Sequence, residues 1–502
     1  MTSKKQENLQ SEKPTHKNYD SAGQITVNGK KINYDATASW LPLHQEDEET
    51  ARIFHTYYRL AASTRFNAAK RPVTFVFNGG PGAASAYLHV GAVGPKRVSA
   101  NPDGTLPPAP VRLVDNSETW LSFTDLVFID PVGTGLSRSV KKNTPQEGEP
   151  TPGKPQDKDD TFYWDVGNDL NALCDFISAF LSREKRWRSP VCVAGESYGG
   201  YRTARLARML QEQAGVGINA AIVISPVLEW DNIFSGHYNT LGQAMLLPSL
   251  AAAARFHGRS SQAKTRERLD TYLLRAEEFA LKQFLPDMSQ GIRLSAAGLD
   301  KAYRTCASWC GLDAALVARH NGHIDASTFC RELLRDEHKA LGRYDAAMTT
   351  IDPFPATDTF TGVDPTLGGL DRLYTAGANA HLRENLGVDS EQKYELLSMS
   401  VNRKWQWRDA ESGSPVPAGA TDDLAAGLAM NPDMKVMIVH GVYDLVTPYF
   451  ESKFLSEQLA RSTPIGGQLE INNYEGGHMF YMWEKSRKLF TRDVAKMIKE
   501  AY

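Results

Sequence analysis

Cysteine and long apolar runs are both scarce in this sequence. Its 502 residues include five cysteines, and no stretch stays apolar for the roughly 20 residues that a transmembrane helix needs. The N-terminal residues 1–8 are polar and lack the apolar core of a signal peptide. We therefore expect a cytoplasmic protein, or a periplasmic or secreted one if a leader has been removed.

A large excess of charge of either sign is also lacking, because the formal net charge is −3 at pH 7. Proteins that bind nucleic acid or anionic membranes through bulk electrostatics carry a clear basic excess. Neither partner is therefore expected. Cys306 and Cys310 are separated by one helical turn and, with Cys330, leave a zinc site or a disulfide open, but the spacing favours simple helix packing. No metal site and no cofactor are predicted.

The most informative motif is Gly195-Glu196-Ser197-Tyr198-Gly199, which directly follows the apolar residues 191–194. A strand that enters Gly-x-Ser-x-Gly and leaves as a helix is the nucleophile elbow of α/β-hydrolases. Apolar residues at helical spacing follow within residues 200–210. The pentapeptide alone could be a chance match in a loop, but the strand before it and the helix after it argue against that. Ser197 is the predicted nucleophile.

A serine hydroxyl needs a base and an orienting acid, which follow in the order Asp, His in this fold. Residues 435–440 form a predicted buried strand, and Asp444 lies just beyond its end. A second predicted strand, residues 468–472, leads to His478. Each residue alone could be an ordinary turn or surface residue. Because parallel strands place their carboxyl ends at one edge of a sheet, we predict that both lie beside the elbow.

A third motif lies upstream, where the apolar residues 73–77 precede Asn78-Gly79-Gly80-Pro81-Gly82. A glycine-rich turn after an early strand can direct backbone N–H groups at the oxyanion of a tetrahedral intermediate. Such a loop could instead hold phosphate, but no Gly-Lys-Ser/Thr follows it. An oxyanion loop is therefore predicted.

The ordered set of motifs resembles the serine carboxypeptidase family, peptidase family S10, which includes carboxypeptidase C and cathepsin A. The matching segments also include residues 116–120 and 126–137, and Gly477-His478-Met479 near the C-terminus. The resemblance implies a role for each of nine residues. The implied catalytic residues are Ser197, Asp444 and His478, the implied oxyanion donors are the N–H groups of Gly80 and Tyr198, and the implied substrate-binding residues are Asn78, Gly79, Glu196 and Met479.

The sequence departs from the family pattern at two positions near this site. The resembled enzymes carry a second glutamate where this chain has Ala92, and that glutamate shares a proton with the one before the nucleophile. Without it, Glu196 has less reason to be protonated near neutrality. The His-Met-Val-Pro ending of the family has also become His478-Met479-Phe480-Tyr481. We therefore expect a weaker preference for free C-terminal carboxylates and a pH dependence that mainly reports His478.

The predicted fold class is α/β: an α/β-hydrolase fold, with a doubly wound, mostly parallel sheet and a helical cap insertion. Residues 1–21 are the predicted flexible tail, 22–229 and 404–502 the two parts of the core, and 230–403 the mostly helical cap. Residues 25–34 form a predicted hairpin with an Asn-Gly turn. Residues 141–160, rich in Pro and charged residues, form a predicted mobile loop at the rim of the site.

The favoured function is a serine-type carboxypeptidase that acts through an acyl-enzyme on Ser197. An esterase or acyltransferase on the same scaffold is the alternative. A catalytically silent binding protein is less favoured, because binding alone does not require the full set of catalytic residues. The expected partner is a peptide or small ester substrate, and a homodimer is left open.

Overall fold

A computed structural model describes residues 17–61, 70–140, 161–233, 236–358, 360–407, 418–462 and 468–502. Its strands, in chain order, are β1 (Tyr19–Val27), β2 (Lys30–Gln45), β3 (Glu48–Leu60), β4 (Val73–Phe77), β5 (Lys96–Val98), β6 (Leu113–Asp115), β7 (Asp125–Ile129), β8 (Arg138–Ser139), β9 (Val191–Glu196), β10 (Ala220–Ile224), β11 (Lys339–Leu341), β12 (Thr349–Ile351), β13 (Lys435–Gly441) and β14 (Leu469–Tyr474).

Ten of these strands form one large sheet in the order β1-β2-β3-β7-β4-β9-β10-β13-β14, with β8 paired to β3. The strands from β7 to β14 in this order run parallel, and β1, β2 and β3 add an antiparallel edge. Every residue of β4, β7, β9 and β10 is buried. Apolar runs of this kind suit parallel strands that are covered by helices on both faces. The predicted mostly parallel α/β sheet is confirmed.

The helices are α1 (Ala86–Leu88), α2 (Val166–Arg183), α3 (Tyr198–Ala214), α4 (Trp230–Ile233), α5 (Thr240–Phe256), α6 (Leu269–Phe279), α7 (Leu285–Ser289), α8 (Ala296–Cys310), α9 (Ala314–Arg319), α10 (Ala326–Glu332), α11 (Leu367–Ala380), α12 (Met399–Lys404), α13 (Thr421–Met430), α14 (Tyr449–Ser462) and α15 (Glu484–Glu500). One face of the sheet packs with α2, α3 and α13, and the other packs with α1, α11 and α15. Among the described residues, none of these helices combines the length and the apolar character that a bilayer span requires.

The large sheet takes no strand from the described part of residues 230–403. This interval divides into two parts that pack differently. Helices α5 to α10 form a core of their own, which also takes in Val442, Tyr443, Leu445, Tyr449 and Phe450 from the segment around Asp444. Helix α11 instead buries Leu370, Leu373 and Tyr374 against the main sheet. The single cap predicted over residues 230–403 therefore needs correction, because the apolar face of α11 covers the hydrolase core.

The N-terminal hairpin turns at Asn28 and Gly29, whose φ angles are +50° and +75°. Two positive φ values are what a tight hairpin turn needs, and Asn-Gly supplies them at little cost. Strand β1 begins at Tyr19, inside the predicted tail of residues 1–21, because residues 19–21 pair with residues 36–38 of β2. That boundary is corrected. Residues 1–16 and the predicted mobile loop at 141–160 lie outside the described residues.

The five cysteines are all buried, and each is a free thiol. Cys306 and Cys310 lie on α8 and pack, with Cys330, into the core of the cap. Within the described ranges, no group of three or more His, Cys, Asp or Glu side chains is placed to hold a metal ion. These cysteines contribute to the cap as small apolar side chains.

Candidate active site

Ser197 occupies a sharp turn between strand β9 and helix α3. Its backbone has φ +63° and ψ −124°, and α3 begins at the next residue, Tyr198. A non-glycine residue held at such a conformation stores about 1–3 kcal/mol of strain, which is a feature of functional sites. Gly195 and Gly199 make the turn possible. A Cβ at Gly195 would collide with the carbonyl oxygen of Gly199, and one at Gly199 would lie 2.9 Å from the carbonyl oxygen of Asn78.

His478 and Asp444 meet beyond the ends of β14 and β13. The two residues are buried, and His478 Nδ1 lies 2.7 Å from Asp444 Oδ2. The backbone N–H groups of Val446 and Thr447 donate to Asp444 Oδ1 at 2.8 and 3.0 Å. Since Asp444 accepts from Nδ1, the proton of neutral His478 resides there and Nε2 keeps a lone pair. This is the arrangement that a general base requires.

Three residues that the sequence analysis did not identify hold this pair in place. Thr447 Oγ1 lies 2.7 Å from Asp444 Oδ2 and 3.1 Å from His478 Nδ1. Ser225, just after β10, donates from Oγ to the carbonyl oxygen of His478 at 2.9 Å. The backbone carbonyl oxygen of Tyr344 accepts from the backbone N–H of His478 at 2.5 Å, and the Tyr344 ring meets the imidazole edge-on. A search for polar residues just after strand ends would have found Ser225 and Thr447, but no sequence signal marks Tyr344.

Charge around His478 favours its protonated form. Burial alone lowers the pKa of the imidazole, but the charge and hydrogen bond of Asp444, with the charge of Glu196, raise that pKa above its ordinary value. A histidine with a raised pKa is a stronger base toward a serine hydroxyl. The carboxylate of Asp444 therefore stabilises the imidazolium form of His478.

The glycine-rich loop after β4 lies directly against the elbow. A Cβ at Gly79 would collide with the backbone nitrogen of Tyr198 and lie 2.5 Å from that of Gly199. Gly80 has φ +101°, a conformation that L side chains rarely adopt. The backbone N–H of Ala83 donates to the carbonyl oxygen of Gly79 at 3.0 Å, which closes the loop. The structure thus brings the backbone of the predicted oxyanion loop to the N-terminal end of α3.

Glu196 is buried beside Ser197 and accepts two hydrogen bonds on one oxygen. Asn78 Nδ2 donates to Glu196 Oε2 at 2.5 Å, and the Tyr481 hydroxyl donates to the same oxygen at 2.9 Å. Oε1 is buried and has no partner among the described residues. Burial raises the pKa of Glu196 to about 7, although His478 and these two donors oppose the shift. Burial therefore gives Glu196 a reason to be protonated near neutrality even without a second glutamate.

Met479 lines a cavity, and Ala92 lies in a closed turn. Met479 helps to line a cavity of about 270 Å³ together with Leu106, Leu370 and Asp345. Ala92 is 1% exposed and lies in a π-helical turn, His89–Val93. The 3-10 turn Phe480–Met482, which carries Tyr481, packs against that turn. The structure therefore brings Asn78, Gly79 and Glu196 together at the elbow, and it places Met479 at the wall of the cavity of about 270 Å³.

Comparison with known proteins places this site in context. The chain matches the family model "Serine carboxypeptidase" over residues 43–492. It is 29% identical to the pheromone-processing carboxypeptidase KEX1 of Puccinia graminis f. sp. tritici over 197 residues, which cover 39% of this chain and 25% of that protein. It is 33% identical to a carboxypeptidase Y homolog of Arthroderma benhamiae over 133 residues, which cover 26% of this chain and 21% of that protein. The chain thus spans about a quarter or less of these relatives in the matched segments.

A solved structure shows the same fold. The prohormone-processing carboxypeptidase Kex1ΔP from Saccharomyces cerevisiae is 17% identical, with a TM-score of 0.53. The match covers 93% of this chain and 91% of that one. The α/β-hydrolase fold predicted from the motifs is confirmed by this likeness.

Proposed function

From the premise that this chain belongs to the serine carboxypeptidase family, we propose that it removes C-terminal residues from peptides through an acyl-enzyme on Ser197. The observation that carries the proposal is the buried 2.7 Å contact between His478 Nδ1 and Asp444 Oδ2. This contact lies at the edge of the sheet where the strained elbow of Ser197 also lies. A strained serine, a base and an orienting acid at one edge are the parts that acyl transfer needs.

In the proposed reaction, His478 carries each proton from one group to the next. His478 Nε2 takes the proton of Ser197 Oγ as Oγ bonds to the scissile carbonyl carbon. The resulting oxyanion accepts from the N–H groups of Gly80 and Tyr198, donors of a kind worth roughly 3–4 kcal/mol of barrier each. His478 then gives its proton to the leaving amine as the C–N bond breaks. Water then attacks the acyl-enzyme with the same proton transfers through His478. This step releases the shortened peptide and restores Ser197.

The substrate is proposed to be held by Asn78, Gly79, Glu196 and Met479. A protonated Glu196 can donate to the C-terminal carboxylate, whereas a charged one would repel it. Met479 is proposed to contact the side chain of the departing residue, because it follows His478 in the chain and lines a cavity of about 270 Å³. The relatives are named for processing pheromones and prohormones, which supports a peptide as the substrate class.

A labelling and turnover experiment tests the proposal. A fluorophosphonate should modify the parent protein covalently, and Ser197→Ala should abolish both the label and turnover of N-blocked dipeptides. Ser182→Ala, which removes a hydroxyl from the surface of α2, is the matched control and should behave like the parent. Labelling without any peptide turnover, but with turnover of small esters, would favour an esterase instead. Ordinary turnover by Ser197→Ala would overturn the assignment of the nucleophile.

A further inference from the structure

The side-chain hydrogen bonds of Glu196 reach one of its two carboxyl oxygens. Both donors that reach its carboxyl group, Asn78 Nδ2 and the Tyr481 hydroxyl, contact Oε2. Within the described part of the chain Oε1 is buried without a partner, and the residue is 2% exposed. A carboxyl oxygen that accepts two hydrogen bonds is a poor place for the acid proton, because both of its lone pairs are engaged. When Glu196 is neutral, its proton therefore resides on Oε1.

Tyr481 is the tyrosine that fixes this arrangement. Two other buried tyrosines lie near the carboxyl group, but their hydroxyls donate elsewhere, Tyr87 to Asp371 Oδ1 and Tyr374 to Met482 Sδ, each at 2.9 Å. Tyr481 is completely buried and lies three residues after His478 in the chain. Its turn packs against the π-helical turn of Ala92. The phenol thus reaches Glu196 from a turn that contacts the segment carrying Ala92.

We propose that Tyr481 is a positioning residue that makes Glu196 a one-directional hydrogen-bond donor, through Oε1, to the C-terminal carboxylate of a peptide substrate. The inference rests on the proposed carboxypeptidase function, which supplies that carboxylate. An unpartnered, buried O–H beside the nucleophile needs an oxygen acceptor, because leaving it unpaired costs about 1–3 kcal/mol. A carboxylate is the strongest acceptor that a peptide end offers.

The proposal predicts a specific pH window. Below about 7 Glu196 is neutral and donates, and above that it is charged and repels the substrate carboxylate. His478 must be neutral to act as a base, so its raised pKa sets the opposite limb. Asp444, Tyr87, Tyr374 and Tyr481 also face the acid, and those tyrosines stay neutral because burial and the nearby carboxylates raise their pKa values. Since the charges of Glu196 and His478 influence each other, the two limbs report the pair.

The test compares an N-blocked dipeptide free acid with its C-terminal amide and ester between pH 5 and 9. In the parent protein, kcat/KM for the free acid should fall on the alkaline side, and the amide and ester should lack that fall. Tyr481→Phe should raise KM for the free acid about fivefold with kcat for the ester nearly unchanged, as expected for one lost hydrogen bond. In Tyr481→Phe, the alkaline fall of kcat/KM for the free acid should occur about one pH unit higher, because the charged form of Glu196 loses a donor.

Two further variants separate positioning from simple packing. Tyr374→Phe removes a buried hydroxyl that does not contact Glu196, and it should leave the alkaline limb in place. Glu196→Gln keeps an oxygen for Asn78 and Tyr481 and places its NH₂ group where Oε1 lies. That variant should lose the alkaline limb.

The outcomes distinguish this inference from the proposed function. A parent protein that is labelled on Ser197 but cleaves no free-acid peptide would overturn both. A parent that cleaves such peptides, with the same KM and the same alkaline limb in Tyr481→Phe, would overturn the role of Tyr481 alone. If Tyr481→Phe does not fold, Glu196→Gln decides, since retention of the parent's alkaline limb in that variant would show that Glu196 does not set it.

Discussion

Arg202 donates from Nη1 to the backbone carbonyl oxygen of Asn78 at 2.7 Å, and so joins the helix after the nucleophile to the oxyanion loop. Its Nε and Nη2 atoms bind the carboxylate of Asp169 on α2 at 2.7 and 2.8 Å. The guanidinium also lies over the ring of Tyr198, 4.7 Å from its centroid. The position of the loop is therefore set by a buried ion pair as well as by its glycines.

Asp169→Ala should lower the free energy of unfolding by about 3–5 kcal/mol, because it leaves the buried guanidinium of Arg202 without its carboxylate. Denaturant unfolding of purified protein measures this. The matched control is Glu212→Ala, which removes one of the two carboxylate partners of Arg208, from an exposed pair on α3, the helix of Arg202. Exposed helix pairs contribute about 0.3–0.5 kcal/mol. Equal effects of the two changes would contradict the structural role given to Asp169.

Gly79→Ala should reduce kcat by about 100-fold or more, because the new Cβ must push the loop away from the Tyr198 nitrogen, the proposed donor to the oxyanion. Gly217→Ala is the control, since nothing lies within 4 Å of a Cβ at that position. Steady-state kinetics on an ester substrate gives the comparison. If the Gly79→Ala protein kept the kcat of the parent, the loop would not be part of the oxyanion site.

Thr447→Val should lower kcat about tenfold with little change in KM. Valine has nearly the same shape but lacks the hydroxyl that contacts Asp444 Oδ2 and His478 Nδ1. The loss of one hydrogen bond to a charged group is worth about 1.5–3 kcal/mol. Thr375→Val, an exposed change on α11, controls for the substitution itself. An unchanged kcat would show that the aspartate needs no help from this hydroxyl.

Glu451→Gln should remove a pH dependence of stability. Glu451 is completely buried on α14, and burial raises its pKa to about 8. An unfolded glutamate titrates near 4.3, so between about 4.3 and 8 the folded state binds more protons and stability falls as pH rises. The slope is at most about 1.4 kcal/mol per pH unit. Unfolding measured at several pH values should show the stability of the variant rising relative to that of the parent as the pH increases across this range. Parallel curves of stability against pH would show that Glu451 does not cause this pH dependence.

Ala92→Glu should destabilise the fold by more than about 2 kcal/mol, because the site of Ala92 is closed by the turn that carries Tyr481. It should not restore a preference for free acids at low pH, since Tyr481 already occupies Oε2 of Glu196. Thermal unfolding and the ratio of free-acid to amide turnover at pH 5 are the measurements. A stable variant with an increased acid-pH ratio would show that the site has more room than this packing allows.

The sequence predicts those parts of the site that lie at strand ends. Ser197, Asp444 and the glycine loop could be located because parallel buried strands leave a clear apolar signal and place their carboxyl ends at one edge. Tyr481 could not be assigned a partner, since its bond to Glu196 spans 285 residues of sequence. Helix α11 shows an amphipathic pattern, but such a pattern identifies a buried face without saying which surface it covers. The strand pairing of Tyr19 could not be predicted either, because the residues next to it in the sequence are polar.

The apolar core of the cap includes Val442, Tyr443 and Leu445, which flank Asp444 on both sides. A cap transplanted from another hydrolase would have to reproduce that packing, or the turn holding the catalytic acid would lose its support. Chimeras that change the cap at residues 240–347 alone are therefore expected to lose activity on every substrate, and those that also carry the matching residues 442–450 to keep it. In this chain, the packing of the cap and the support of Asp444 therefore depend on the same side chains.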